Sequence, residues 1–126
     1  MFGRFGRSPE LRAFDGALRS VDLHPSLVPE AVKLAAVNLL RDQCENDKPE
    51  PPLYRSAAEI VAYCMLGREA FAGANTAELA TDVEKRIETA LQEDTSLDAK
   101  LVLLTLHARV VQPSVVDEFQ LESGSD

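Results

Sequence analysis

The chain contains no tryptophan, only two cysteines and only two histidines among its 126 residues. Two cysteines cannot build a disulfide framework, and Cys44 and Cys64 lack the close spacing typical of zinc sites, so we expect reduced thiols in a cytoplasmic protein. A four-ligand zinc site would require His24, Cys44, Cys64 and His107 to converge from four separate segments. The sequence therefore predicts no metal and no other cofactor.

The sequence also lacks the short motifs that specify a chemistry. HExxH, GxxxxGK, GxGxxG and GxSxG are all absent, and neither histidine has a glutamate three residues before it. Cys64 and His107 could act as a nucleophile and its base, but Cys64 lies in the apolar run IVAYCML, where burial makes a thiol unreactive. Glu59, Glu69 and Tyr63 could line a cleft, although Glu59 is expected to cap a helix. Enzymatic activity stays open, and a non-enzymatic role is favoured.

Long apolar runs and an excess of basic charge are missing as well. Charged residues interrupt every apolar stretch before it reaches the roughly 20 residues needed to cross a bilayer, so we expect no membrane span. Met1–Arg7 does not lead into the apolar core of a secretory signal. The formal net charge is -8, with six basic and five acidic side chains in residues 1–43 against seven and sixteen in residues 44–126. The negative electrostatic field of such a chain repels phosphate backbones, which argues against nucleic-acid binding. Two interpretations of the acidic side chains stay open: an ordinary solvated surface, or a surface that binds a basic partner.

What the chain does contain is a regular series of helix caps followed by apolar residues at helical spacing. Ser8-Pro9-Glu10 starts a first helix, and Ser56 with Glu59 forms a capping box before a third. We therefore predict an all-α fold, a compact bundle of five main helices in which helices two, three and five form the centre. The pattern also allows a short sixth helix. The predicted helices cover residues 9–21, 29–44, 56–72, 75–92 and 97–111, with the short one at 114–119.

The same pattern of helix caps and apolar spacing predicts one helical domain, residues 8–121, between two terminal segments. Three prolines and five charges predict an extended connection between helices at residues 45–55. Residues 1–7 repeat Phe-Gly-Arg and are expected to form a flexible basic and aromatic leader. This leader is either disordered, packed on its own domain, or anchored to a groove or an anionic surface, and its role stays open. Residues 122–126 are expected to be a disordered tail.

Gly67, within predicted helix three, is expected to allow close approach of a neighbouring helix.

Helices three and five carry more apolar residues than one face can hold. That surplus must lie inside the domain or against another chain, and both alternatives stay open. We predict a self-association or protein–protein interaction module, either a homodimer or a complex with another protein. The predicted interface residues are Val61, Met65, Leu103, Leu106 and Val110. The alternative, a small-molecule-binding protein or enzyme, would have an apolar pocket between helices three and five, lined by Tyr63, Met65 and His107.

Overall fold

In the computed structural model, which describes residues 8–46, 48–93 and 95–121, the regular structure is entirely helical. The all-α class is confirmed, and within the described residues there are seven α-helices rather than five main helices and a short sixth. The predicted leader, residues 1–7, and tail, residues 122–126, lie outside the described residues. The helices are α1 (Pro9–Ser20), α2 (Glu30–Asp42), α3 (Pro51–Leu66), α4 (Arg68–Ala74), α5 (Ala77–Gln92), α6 (Leu97–His107) and α7 (Pro113–Phe119), with one 3₁₀ turn at Pro25–Leu27.

Hydroxyl caps fix the starts of α1, α5 and α6. The side chains of Ser8, Thr76 and Ser96 each accept a hydrogen bond from the backbone N–H three residues later, at 3.0 to 3.1 Å. These bonds satisfy donors that the first turn of a helix leaves without a partner. The cap of α5 is Thr76, so the helix begins at Ala77 and not at residue 75 as predicted. The side-chain amide of Asn75 instead donates to the carbonyl of Val21 at 3.1 Å.

The proline-rich connection is shorter than predicted, because α3 begins at Pro51 instead of Ser56. Pro51 and Pro52 occupy the first two helical positions, where a backbone N–H has no partner within the helix and a fixed φ near -65° is already helical. The prolines that suggested an extended segment over residues 45–55 therefore start the helix. Glu59 consequently lies inside α3 and does not form the predicted capping box with Ser56.

Predicted helix three is interrupted at Gly67, and this break is what raises the number of helices. Gly67 has φ +88° and ψ 164°, a backbone conformation that residues with a side chain rarely adopt. A Cβ atom at this position would lie 3.0 Å from the Oγ of Ser114, at the start of α7. Gly67 therefore allows both the turn from α3 to α4 and the close approach of α7.

α6 ends at His107, four residues before the predicted end. Arg109 has φ +62°, and the N–H of Val110 donates to the carbonyl of Thr105 at 3.1 Å. This arrangement satisfies carbonyl groups at the helix terminus and turns the chain toward α7. Val110 and Val111 therefore lie in the connection between α6 and α7 and not on α6 itself.

The core of the described residues is built around α3, which packs against α1, α2, α4, α5 and α6. Five consecutive α3 residues have no exposed surface: Ile60, Val61, Ala62, Tyr63 and Cys64. A helix buried all round belongs at the centre of a bundle. The prediction that helix three is central is correct, and α1 contributes Phe14 and Leu18 to the same core.

The helices that the structure describes are short. The longest, α3 and α5, contain 16 residues each. None of them combines the length and the apolar character that crossing a membrane requires.

Candidate functional site

The five predicted interface residues divide between the core and the surface. Val61 is completely buried and Leu106 is 6% exposed, so both pack inside a single chain. Met65 and Val110 are half-buried, whereas Leu103 on α6 is 40% exposed. Part of the apolar surplus is thus covered within the chain, and Leu103 is the member of this group that solvent reaches most.

Leu103 lies on the outer face of α6, together with Lys100 and His107. The spacing of three and four residues places these side chains on the same side of the helix, and all three are exposed. Arg109 follows just beyond the helix end and is also exposed. In the part of the chain that the structure describes, neither Lys100 nor Arg109 takes part in an ion pair. We call Lys100, Leu103, His107 and Arg109 the α6 outer surface; it combines apolar and basic side chains.

The neighbouring helix α5, which packs against α6, exposes more acidic than basic side chains. Glu78, Asp82 and Glu88 are exposed, with Lys85 as the single exposed base of that helix. Within the described residues none of these three carboxylates forms an ion pair. Two adjacent helices therefore present surfaces of opposite charge, one basic and apolar and the other acidic.

A cluster of polar side chains around Arg86 ties α3, α5 and α6 together. The Arg86 guanidinium donates two hydrogen bonds to the carboxylate of Asp98, at 2.8 and 3.2 Å, and one to Glu59 at 3.0 Å. It also donates to the hydroxyl of Ser56 at 2.7 Å and to the Ser56 carbonyl at 3.1 Å. The planar guanidinium suits such forked contacts, so this cluster holds three helices in register.

The sequence pattern does not reveal this cluster, because Glu59 also fits the spacing of a capping residue. One signal was available: Arg86 lies next to the apolar stripe of α5, three residues after Val83 and one before Ile87, both of which are fully buried. A cation at that position points along the edge of the core and needs anionic partners. Those partners come from other helices and cannot be identified by local spacing.

A second polar cluster surrounds the hydroxyl of Tyr63, where α3, α4, α5 and α7 meet. The buried Tyr63 hydroxyl donates to the carboxylate of Glu118, at 3.0 and 3.2 Å from its two oxygens. Its ring packs at an angle against Phe71 and Phe119, with centroids 5.6 and 6.2 Å away. Burial, followed by the hydrogen bond with Glu118, raises the pKa of Tyr63 well above its usual value, so the hydroxyl stays protonated and acts as a donor.

The surface clefts do not match the predicted apolar pocket. Five clefts range in volume from about 170 to about 590 Å³, and none of these five is lined by Tyr63, Met65 or His107. The largest lies between α4, α5 and α7 and is lined partly by Arg68 and Glu118. Tyr63 is not available to a pocket ligand, because its ring and its hydroxyl are both engaged inside the fold.

The candidate nucleophile Cys64 is not activated. Burial raises the pKa of the Cys64 thiol to about 12, and a hydrogen bond with Thr105 opposes this shift. The described residues contain no hydrogen bond between Cys64 and His107, and no three of their His, Cys, Asp or Glu side chains lie where they could hold a metal ion together. Because only the thiolate is strongly nucleophilic, Cys64 behaves as a core residue.

This environment predicts a large difference in reactivity between the two thiols. In the folded protein, a thiol reagent should modify the half-buried Cys44 at least about 100-fold faster than the fully buried Cys64. Variants Cys44→Ser and Cys64→Ala would assign the two rates, and denaturant should equalise them. Equal rates in the native protein would show that the Cys64 environment is open or activated.

Comparisons of the chain with models of protein families, with curated proteins and with solved structures found no significant match.

Proposed function

We propose that this chain is a small interaction module that associates with a second copy of itself through the α6 outer surface. The observation that supports the proposal is the position of Leu103. It stays 40% exposed on a helix that otherwise buries its apolar side chains wholly or in part, and it is flanked by Lys100 and Arg109 without ion pairs in the described residues. An apolar side chain between such cations is suited to an acidic surface.

A second copy of the chain offers that acidic surface next to the same helix. Because α5 packs beside α6, a two-fold axis can place the α6 outer surface of one copy against the acidic side chains of α5 on the other, and the reverse contact forms at the same time. The formal net charge of -8 disfavours nucleic acid and a general attraction between copies, so the local contact must supply the attraction. The two free cysteines are consistent with the cytoplasmic setting that we propose.

Leu103→Glu is expected to convert the dimer to a folded monomer. The substitution removes an apolar contact and places a negative charge opposite Glu78 and Asp82 of the other copy, twice in each dimer because of the symmetry. We expect the dissociation constant to rise on the order of 100-fold. Sedimentation velocity at micromolar concentration measures the change, and circular dichroism shows whether the helices are retained.

Leu34→Glu is the matched control, because Leu34 on α2 is 47% exposed and lies outside the proposed contact. This variant should stay dimeric. In the wild-type protein, added salt should increase dissociation of the dimer, because the proposed contact pairs opposite charges and salt screens them. A wild type that sediments as a monomer at every concentration would contradict self-association. A monomer that binds an acidic protein would assign the same surface to a different partner.

A further inference from the structure

A groove lies between one face of α1 and the start of α3. Its volume is about 470 Å³, within the range of roughly 300 to 1,000 Å³ that is typical of clefts that hold a ligand. The groove therefore has room for an aromatic side chain. Its lining is largely apolar and includes Ala13, Gly16 and Ala17 of α1 and Pro51, Pro52 and Tyr54 of α3.

Gly16 is a second feature that points to an occupant of this groove. It lies in the interior of α1, where glycine favours a helix less than alanine does. A Cβ atom at this position would meet nothing within 4 Å beyond its own stretch of helix. The described fold therefore gains nothing from a glycine here, whereas a segment that packs directly on the α1 backbone needs the space that a side chain would fill.

The segment that directly precedes α1, residues 1–7, is long enough to reach the groove. It lies outside the described residues. A chain extends up to about 3.5 Å per residue, so the Cα of Phe5 lies within about 10 Å of that of Ser8, and the Cα of Phe2 within about 20 Å. Gly16 is only about 12 Å along α1 from Ser8, because each helical residue adds about 1.5 Å. Both phenylalanine rings can therefore reach the α1 face of the groove.

The composition of residues 1–7 matches the groove. Phe2 and Phe5 supply two aromatic rings, which bury a large apolar area for few side chains. Gly6 allows the reversal that brings the chain back along α1. Because the segment is joined to α1, its effective concentration at the groove is on the order of millimolar, so a contact too weak for two separate molecules is sufficient.

Charges at the edges of the groove indicate how such a segment would lie. Glu50, between two prolines of the lining, and Glu10, one turn before Ala13 on α1, form no ion pair within the described residues. Arg4 and Arg7 of the segment complement these two carboxylates.

Basic side chains border the groove elsewhere. Arg12 and Arg19 are exposed on α1, about one turn before and one turn after Gly16. Arg55 belongs to the lining and is paired with Glu59 at 3.3 Å. The arginines of the segment are therefore expected beside Glu10 and Glu50 and away from the Gly16 edge.

We propose that the groove between α1 and α3 is the docking site of the chain's own residues 1–7, with the ring of Phe2 over Gly16 and the ring of Phe5 beside Ala13. Docking covers an apolar face of α1, adds two aromatic side chains to the fold and closes the groove to other ligands. The contact lies within one chain, away from the α6 outer surface, and is independent of the proposed dimer.

Nuclear Overhauser effects in the full-length wild-type protein test the docking directly. With phenylalanine labelled selectively, ring protons of Phe2 and Phe5 should give cross-peaks to the methyl groups of Ala13 and Ala17. Phe2→Leu and Phe5→Leu each remove one set of signals and so assign them. The absence of these cross-peaks would overturn the proposal.

The same experiment on a mixture of labelled and unlabelled chains identifies which copy supplies the segment. Docking within one chain gives no signal between copies at the groove. Cross-peaks between phenylalanine rings of one copy and Ala13 of another would place the segment of a second copy in the groove and would contradict docking within the chain.

Gly16→Leu fills the groove without altering residues 1–7, and trypsin cleavage after Arg4 and Arg7 reports whether the segment is docked. Cleavage at these two bonds, followed by mass spectrometry, is expected to be about tenfold faster in Gly16→Leu than in the wild type. Circular dichroism should show the helices retained, since the new side chain meets open space in the described fold.

Gly73→Leu is the matched control, because Gly73 on α4 also faces open space but lies outside the groove. Its cleavage after Arg4 and Arg7 should be as slow as in the wild type. If the wild type and both variants are cleaved at the same rate, the groove does not hold the segment. Equal acceleration in both variants would assign the effect to leucine at an exposed helix position and would likewise contradict the proposal.

Discussion

Gly67→Ala is expected to lower the free energy of unfolding by about 3 kcal/mol, the largest effect that we expect from adding one methyl group to this chain. At φ +88° and ψ 164° a residue with a Cβ is strained, and the new Cβ would lie 3.0 Å from the Oγ of Ser114. Chemical denaturation followed by circular dichroism measures the change.

Gly73→Ala is the matched control for this substitution. Gly73 lies within α4, and a Cβ atom there would meet nothing within 4 Å. Because alanine favours a helix over glycine, this variant should gain about 0.5 to 1 kcal/mol. Adding Ser114→Ala to Gly67→Ala should recover only part of the loss, because the backbone strain stays. A Gly67→Ala protein as stable as the wild type would contradict the assigned break between α3 and α4.

Arg86→Ala is expected to cost about 2 to 4 kcal/mol of stability and so to lower the melting temperature by roughly 10 °C. Removing the guanidinium leaves Asp98 and Glu59 without their shared cation, and their side chains are only 28% and 16% exposed. The Ser56 carbonyl and hydroxyl lose a donor at the same time. Thermal unfolding monitored by calorimetry gives both the melting temperature and the enthalpy.

Arg55→Ala provides the control, because Arg55 also pairs with Glu59 but its side chain is 48% exposed. An ion pair of that kind is screened by water and should contribute no more than about 0.5 kcal/mol. If Arg55→Ala and Arg86→Ala destabilise the protein equally, the Arg86 cluster does not tie the three helices together as described.

The helical class could be predicted from the sequence because caps and apolar spacing act locally. Ser8 caps the helix that it is predicted to start, and Ser96 caps α6, which begins at the predicted residue 97. The apolar stripe of α5 is buried as its spacing indicates. Residues 113–119 form the short helix that the pattern allowed at 114–119. These features depend on residues within one or two turns of each other.

The errors arise where a residue has two local interpretations and a distant contact decides between them. Proline interrupts a helix interior but also starts a helix, and Pro51 and Pro52 do the latter. A glycine can lie inside a helix or end one. Gly67 ends α3, and Ser114 of α7 lies close to it. Glu59 fits a capping box by spacing, yet Arg86 and Arg55 are its partners.

The candidate interface shows the same limit. Spacing identified an apolar surplus on two helices, but spacing does not tell whether a second layer of neighbours is present in the same chain. Val61 and Leu106 find those neighbours, whereas Leu103 keeps 40% of its surface exposed. The place of Arg109 near Leu103 likewise depends on the end of α6 at His107 and on the turn that follows, which helical spacing does not predict.

The measurement that tests the proposed function most directly is isotope-filtered NMR on an equimolar mixture of labelled and unlabelled wild-type chains. Only contacts between two copies give signals in that experiment. We predict cross-peaks between the methyl groups of Leu103 in one copy and α5 protons near Asp82 in the other. The absence of any such signal at a concentration where the protein should be dimeric, or signals from Leu34 instead, would contradict the account.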